Sequence, residues 1–187
     1  MERRIFTVGC DLDDSIEYLI EAWITYLNNK YQLNVKYENV KHWDMSKSFP
    51  TLTEKEIVEP LFMDSFWETV KPMPDAVEYL KKLMDDGHQV YICTNSHYKT
   101  LASKMDNVLF KYFPFITWDN VIICKNKQMI KCDYLIDDGS HNIVGDYKGL
   151  LINTPYNENF DETKYPNVRR VYSWKQIYNI INNEACN

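Results

Sequence analysis

The chain has 187 residues, a length that fits one domain with a well-buried core and room for an insertion. With 45% hydrophobic residues, 5 glycines and 7 prolines, it is too apolar for a disordered chain and unlike a collagen or a flexible linker. A net charge of −6 argues against a nucleic-acid polymer as partner, because duplex binders need a basic surface.

Six short apolar runs, each ending at a polar residue, predict parallel strands that are covered on both faces. They are residues 5–10, 88–93, 121–124, 134–136, 149–152 and 168–172. Helical patterns separate most of them. A stripe starts at Ile16, a capping box at Thr53 precedes a second helix, and Ser173 is placed as an N-cap. The alternation predicts a doubly wound (Rossmann-like) parallel α/β sheet.

One connection is much longer than the others. About 75 residues separate the first two strands, although a crossover needs only a dozen or so. The helix predicted after Pro74 supplies that crossover, and Gly87 is placed to end it. Residues 15–71 are therefore predicted to form a small helical cap inserted after the first strand, and residues 1–14 and 72–187 the α/β core.

Ligands of open α/β sheets bind beyond the carboxyl ends of the strands. The residues predicted there are Asp11, Asp13, Thr94, Asn95, Lys125, Lys127, Asp137 and Asp138. Four carboxylates at one place repel each other unless a cation is bound or some are protonated. A hard Mg²⁺ ion, which takes carboxylates, waters and a substrate phosphate, meets that need. Phosphate chemistry is therefore the leading prediction.

The placement of these residues also suggests a mechanism. Asp11 is positioned to attack phosphorus and form an aspartyl-phosphate. Asp13, two residues on, is expected to be protonated at first, to donate to the leaving oxygen and later to take a proton from water. The Thr94 hydroxyl, main-chain N–H groups at Asn95 and Ser96, and a lysine would hold the phosphoryl oxygens. A helix predicted to begin near Ser96 would add its N-terminal dipole.

The same residues resemble the four motifs of the haloacid dehalogenase superfamily of phosphatases: Asp11-Leu12-Asp13, Thr94, a lysine, and Asp137-Asp138. Within it, further stretches resemble the 5′(3′)-deoxyribonucleotidase family. They are residues 71–77, 92–94, Lys127 with 133–138, and 172–174. The likeness covers the first strand and most of residues 71–180, and is loose in the cap. Asn95 and Asp14 depart from it, since a small residue and a glycine often stand there.

The resemblance implies a magnesium-dependent phosphatase that dephosphorylates deoxyribonucleoside 5′- or 3′-monophosphates. It implies that Asp11 is the nucleophile and a metal ligand, and that Asp13 is the acid/base and lends a main-chain carbonyl to the metal. It further implies that Thr94 and Lys127 bind phosphate, and that Asp138 is a metal ligand supported by Asp137. Asn95 is predicted to bind phosphate as well, through its main-chain N–H.

The cap is rich in aromatic residues that suit a flat base. Trp43, Phe66 and Trp67 are the candidates for base contact, with packing as the alternative for each. His97 and His141 are also expected near the site. Two other functions stay open: a phosphatase of the same superfamily acting on another small phosphomonoester, and a non-catalytic nucleotide-binding regulator.

The cellular compartment and the partners of the protein are predicted from the absence of disulfide, membrane-spanning and targeting patterns. Its five cysteines form no CxxC pair, which favours reduced thiols. No apolar run approaches the roughly 20 residues that span a bilayer, and the first residues resemble neither a secretory signal nor a transit peptide. We expect a cytoplasmic protein with a small nucleotide as its partner and no membrane contact. A homodimer is compatible with the fold.

Overall fold

The computed structural model describes residues 3–186, and its framework is one six-stranded sheet. The strands are β1 (Thr7–Cys10), β2 (Gln89–Thr94), β3 (Val121–Ile123), β4 (Tyr134–Asp137), β5 (Lys148–Ile152) and β6 (Val168–Val171). Every adjacent pair is parallel, in the order β3-β2-β1-β4-β5-β6. The predicted doubly wound parallel sheet is confirmed, and each strand lies within two residues of its predicted bounds.

The chain reverses its winding direction at β1. From there it proceeds outward through β2 to β3, and then returns to the other side of β1 for β4, β5 and β6. Val8 is level with Val90 on one side and Tyr134 on the other, so the three central strands end at the same edge. A crevice at such a reversal point is where open α/β sheets bind ligands.

The core helices pack with the sheet in one large group of buried side chains. They are α4 (Ala76–Asp85), α5 (Leu101–Lys104), α6 (Phe110–Tyr112) and α7 (Trp174–Ala185), with a π-helical turn over Met105–Leu109 between α5 and α6. α4 ends where Gly87 takes a φ of +89°, a conformation that glycine adopts without strain. The hydroxyl of Ser173 accepts a hydrogen bond from the Gln176 N–H, as the predicted N-cap requires.

Residues 15–71, which we call the cap segment, contain short helices joined by irregular stretches of chain. They contain α1 (Leu19–Tyr31), α2 (Glu54–Val58), α3 (Asp64–Trp67) and three 3₁₀ turns (Tyr37–Asn39, Met45–Lys47 and Glu59–Phe62). The capping box between Thr53 and Glu56 is present. One group of buried side chains, the cap cluster, holds the segment together: Ile20, Ile24, Leu27, Val40, Met45, Phe49 and Ile57.

A second buried group joins the cap segment to the core. Phe66, Trp67 and Val70 pack with Val108 of the π-helical turn. The division into a cap of residues 15–71 and a separate core therefore stays a prediction, because apolar packing is continuous across it.

Two predicted helix starts were wrong. The helix expected from Ile16 begins at Leu19, because Asp14 takes a φ of +50° and Glu17 forms bridges with Asp13 and Pro72. The helix expected near Ser96 begins only at Leu101. The carbonyl of His97 accepts from both the N–H and the hydroxyl of Thr100, at 2.9 Å each, which closes a turn ahead of the helix. Within residues 3–186 we find no helix long and apolar enough to cross a membrane.

Candidate active site

Three buried carboxylates meet at the edge where β1 and β4 end. One oxygen each from Asp11, Asp137 and Asp138 lies within 4.8 Å of the others. The N–H of Asp11 donates to the carbonyl of Ile136 at 2.8 Å, which carries the pairing of β1 and β4 one residue past the last β1 residue. The close approach of these acids is thus set by the sheet register.

Lys127 lies within this group and pairs with two of its members. Its ammonium is 2.6 Å from Asp11 Oδ1 and 2.7 Å from Asp137 Oδ2, and the residue is 2% exposed. Burial alone lowers the pKa of Lys127, but Asp11 and Asp137 raise it above its usual value. The ammonium therefore stays charged. A 3₁₀ turn (Lys127–Met129), capped by the side chain of Asn126, delivers it.

Asp137 and Asp138 differ in their partners. Asp137 accepts from the Gly139 N–H at 2.7 Å and from the Asn142 amide at 3.2 Å in addition to Lys127. Burial and the Asp11 charge raise the pKa of Asp137 to about 6. Burial and the charge of Asp137 raise the pKa of Asp138 as well. Buried carboxylates that repel one another at this range form an oxygen donor set that suits a hard divalent cation.

Lys104 is a functional candidate that the sequence analysis missed. Its ammonium donates to Asp13 Oδ2 at 2.5 Å and to Thr94 Oγ1 at 2.9 Å, and the residue is only 1% exposed. The sequence does contain a sign of this role, namely the position of Lys104 on the predicted helix. Lys104 stands three residues after Leu101 and four before Val108, on the face that an apolar residue would occupy. A lysine at that phase indicates a buried charge with a specific partner.

The predicted phosphate-binding residues lie on both sides of this network. Thr94 is fully buried at the end of β2, and its hydroxyl faces Lys104. Asn95 is exposed at the rim of a cleft of about 230 Å³, which Asp11, Asp13, Lys127 and Asp138 also line. Lys125 and His141 line the same cleft. The structure thus brings all the strand-end candidates to one place.

An aromatic cleft of about 270 Å³ adjoins the charged one. Asp13, Trp43 and Asn95 line both, so the two clefts share a wall. Trp67 and His97 also line the aromatic cleft. Phe66 does not: it is 1% exposed and packs edge-on against Tyr26 and Trp67, because it belongs to the apolar group between cap segment and core. The other two candidates, Trp43 and Trp67, do line this cleft.

Two further acids beside Asp13 were also missed as part of this site. Glu17 is fully buried, and within residues 3–186 neither of its carboxylate oxygens accepts from an N–H or hydroxyl donor. Burial, and then the charges of Asp13 and Asp14, raise the pKa of Glu17. Asp14 is also buried, and its carboxylate accepts from the Ile20 N–H near the start of α1, at 3.2 Å. Its positive φ explains why a glycine suits that position in similar sequences.

Known proteins are similar to this chain over most of its length. The family model described as "5′ nucleotidase, deoxy (pyrimidine), cytosolic type C protein" matches residues 3–185. A 5′(3′)-deoxyribonucleotidase of Bacillus subtilis (strain 168) is 31% identical over 174 residues, which cover 91% of this chain and 95% of that protein. One from Clostridium acetobutylicum is 29% identical over 171 residues, covering 91% of this chain and 93% of that protein.

Solved structures share the fold at low sequence identity. A haloacid dehalogenase-like hydrolase from Streptococcus pneumoniae superposes with a TM-score of 0.63 at 15% identity, over 92% of this chain and 96% of that one. A Bacillus subtilis HAD-hydrolase bound to magnesium gives a TM-score of 0.61 at 13% identity, over 96% of this chain and 100% of that one. The predicted resemblance to haloacid dehalogenase phosphatases, and to deoxyribonucleotidases among them, is confirmed.

Proposed function

Because this chain belongs to the family of 5′ nucleotidase, deoxy (pyrimidine), cytosolic type C proteins, and is thus a phosphomonoester hydrolase, we propose that it dephosphorylates deoxyribonucleoside 5′- or 3′-monophosphates with Mg²⁺. The observation that carries the proposal is the shared wall of the two clefts. A charged cleft built on Asp11 and Lys127 adjoins an aromatic one that contains Trp43 and Trp67. A phosphate and a flat base attached to one sugar match that pair of clefts.

Asp11 would be the nucleophile. A carboxylate oxygen of Asp11 forms a bond to phosphorus while the bond from phosphorus to the sugar oxygen breaks, which leaves an aspartyl-phosphate and a nucleoside. Water then attacks the same phosphorus, phosphate leaves, and the carboxylate is restored. The ion pair with Lys127 holds Asp11 Oδ1 and supplies positive charge where the phosphoryl oxygens would lie.

Asp13 would move the protons of both steps. Its Oδ2 accepts from Lys104, which fixes the carboxylate, and Asp13 lines both clefts. The Asp13 carboxyl would therefore give a proton to the leaving sugar oxygen and later accept one from the attacking water. Lys104 also holds the Thr94 hydroxyl, so one ammonium orients both an acid/base and a phosphate-binding group.

Mg²⁺ would lie among Asp11, Asp138 and the main-chain carbonyl of Asp13, with Asp137 in support. When bound, the ion would neutralise the clustered carboxylates and the substrate phosphate, which otherwise repel each other. The buried oxygen donors of Asp11, Asp137 and Asp138 fit such an ion. A structural relative described as bound to magnesium supports the same choice.

The direct test is phosphate release from a panel of deoxyribonucleotides, ribonucleotides and sugar phosphates, with Mg²⁺ and with EDTA. We expect selective, Mg²⁺-dependent release from deoxyribonucleoside monophosphates, and none from Asp11→Asn with its fold intact by circular dichroism. Release from sugar phosphates alone would keep Asp11 as nucleophile and refute the base site. Unchanged turnover by Asp11→Asn would refute the mechanism.

Trp43 provides a separate test of base binding. Its side chain is 59% exposed at the wall shared by both clefts. Base stacking on an aromatic ring contributes about 1–3 kcal/mol, so Trp43→Ala should raise KM for a deoxynucleotide about tenfold. KM for p-nitrophenyl phosphate should not change. Trp118→Ala is the matched control, since Trp118 is 56% exposed and lines neither cleft. An equal rise for both substrates would contradict a role in base contact.

A further inference from the structure

Tyr156 lies in the loop between β5 and β6, to which the proposed reaction assigns no role, and its hydroxyl contacts Asp138. The hydroxyl donates to Asp138 Oδ2 at 2.6 Å, while the Ser15 hydroxyl donates to Oδ1 at 3.3 Å. Asp138 is 2% exposed, so water does not compete for either oxygen. The orientation of this carboxylate is thus set by two protein hydroxyls, of which Tyr156 makes the shorter bond.

The loop that carries Tyr156 is itself fixed from the side of the sheet. The amide of Asn157 donates to the main-chain carbonyls of Asp138 at 2.8 Å and Ile152 at 2.7 Å. Its side-chain oxygen accepts from the Arg170 guanidinium at 2.7 Å, and Arg170 also donates to the carbonyl of Phe160 at 2.8 Å. The backbone of Asp138 therefore belongs to the same network as its carboxylate, and Tyr156 is delivered with little freedom.

The ring of Tyr156 faces the other way, onto the cap segment. It packs against the cap cluster. A second contact joins the same two parts of the chain: Lys41 of the cap segment and Glu158 of the loop form an ion pair at 2.8 Å. One side chain thus touches both a proposed metal ligand and the apolar group that holds the cap segment together.

We propose that Tyr156 is a positioning residue that links Mg²⁺ binding at Asp138 to the seating of the cap segment. The proposal rests on the proposed function, which supplies the ion. A carboxylate held in its binding orientation before the ion arrives loses less freedom on binding, and partners of this kind typically change metal affinity 10- to 100-fold. Because the ring of Tyr156 packs against the cap cluster, displacing the cap segment removes the packing that holds the hydroxyl on Asp138, and a bound ion in turn favours the seated cap segment.

The test uses Tyr156→Phe, which keeps the ring and removes only the donor. Tyr178→Phe is the matched control, because Tyr178 donates to the carboxylate of Asp86 at 2.8 Å, next to the start of β2 and so at the opposite edge of the sheet. The Kd for Mg²⁺ is measured by calorimetry on each full chain without substrate. We expect it to rise at least tenfold in Tyr156→Phe and to stay within twofold in Tyr178→Phe.

The link to the cap segment is measured by amide hydrogen exchange over residues 37–49. Saturating Mg²⁺ should slow exchange there in the wild type and have a smaller effect in Tyr156→Phe at equal occupancy. A Kd for Tyr156→Phe within twofold of the wild type, or an equal loss in Tyr178→Phe, overturns the positioning role. If Mg²⁺ slows amide exchange over residues 37–49 equally in the wild type and in Tyr156→Phe, the link between the ion and the cap segment is overturned. If the wild type binds no Mg²⁺, the magnesium part of the proposed function fails first, a result distinct from an unaffected variant.

Discussion

Lys104 is a buried cation between two groups that the proposed reaction needs in fixed positions. Its ammonium contacts Asp13 Oδ2 and the Thr94 hydroxyl, and it lies 5.8 Å from the centre of the Trp67 ring. An ammonium without a partner would be costly at 1% exposure, so the ion pair is required for Lys104 to be buried at all. The same contact fixes the orientation of the Asp13 carboxylate.

Replacing Lys104 should affect turnover more than substrate binding. In Lys104→Met the Asp13 carboxylate loses its orientation, and kcat should fall on the order of 100-fold, the usual contribution of a positioned acid/base. KM should change little. Lys104→Arg should recover part of kcat. Lys111→Met, which replaces an exposed lysine of α6, should leave kcat unchanged. A rise in KM with unchanged kcat would contradict the positioning of Asp13.

The buried carboxyl of Glu17 makes the free energy of unfolding decrease as the pH rises. Because the pKa of Glu17 in the folded protein is raised above its usual value of about 4.3, the unfolded chain loses this proton at lower pH than the folded protein does. At pH values below the usual pKa, Glu17 is protonated in both the folded and the unfolded state, so its ionisation does not affect the free energy of unfolding. Above it, the free energy of unfolding falls until the folded protein also ionises.

Glu17→Gln should remove that loss. The stability of Glu17→Gln relative to the wild type should therefore increase from about pH 4 to about pH 7.5, measured by urea unfolding at both pH values. Glu21→Gln, on the exposed side of α1, should show no such increase. A difference between Glu17→Gln and the wild type that is constant with pH would mean that Glu17 titrates normally.

Strands were easier to predict than helix starts in this protein. A strand covered on both faces must be apolar throughout, so residues 134–136 could be recognised from a few residues alone. The starts of α1 and α5 depended on contacts that no local pattern contains. Glu17 pairs with Pro72 across the whole cap segment, and the His97 turn delays α5 to Leu101. Likewise, the insertion of a π-helical turn after Lys104 could not be read from the spacing of apolar residues.

α7 offers a test of a helix start that was predicted correctly. The Ser173 hydroxyl accepts from the Gln176 N–H at 3.2 Å, and the next residue, Trp174, donates its indole N–H to the carbonyl of Ser15 at 2.9 Å. Ser173→Ala should lower the free energy of unfolding by about 1 kcal/mol. Lys175→Ala, exposed in the first turn, should not lower it. Equal stability of Ser173→Ala and the wild type in urea would show that the cap is dispensable.

The topology explains why so much of the candidate site could be predicted. Parallel strands end at one edge, so Asp11, Thr94 and Asp137 had to come together once the sheet was recognised. Lys104 and Tyr156 reach the same place from a helix and a long loop, whose paths are set by tertiary packing rather than by local sequence. The likeness to known phosphatases did not indicate them either, since neither belongs to its motifs.

The central position of β1 determines when the protein can fold during synthesis. The first strand made pairs with β2 and β4, so its partners leave the ribosome only after residues 94 and 137 have been added. Until then an apolar strand has both edges unpaired, which exposes it to association with other chains. Closing such long loops also slows folding. Nascent chains that stop before Asp138 should therefore depend on chaperones, and the carboxylate cluster can form only once residue 138 has been added.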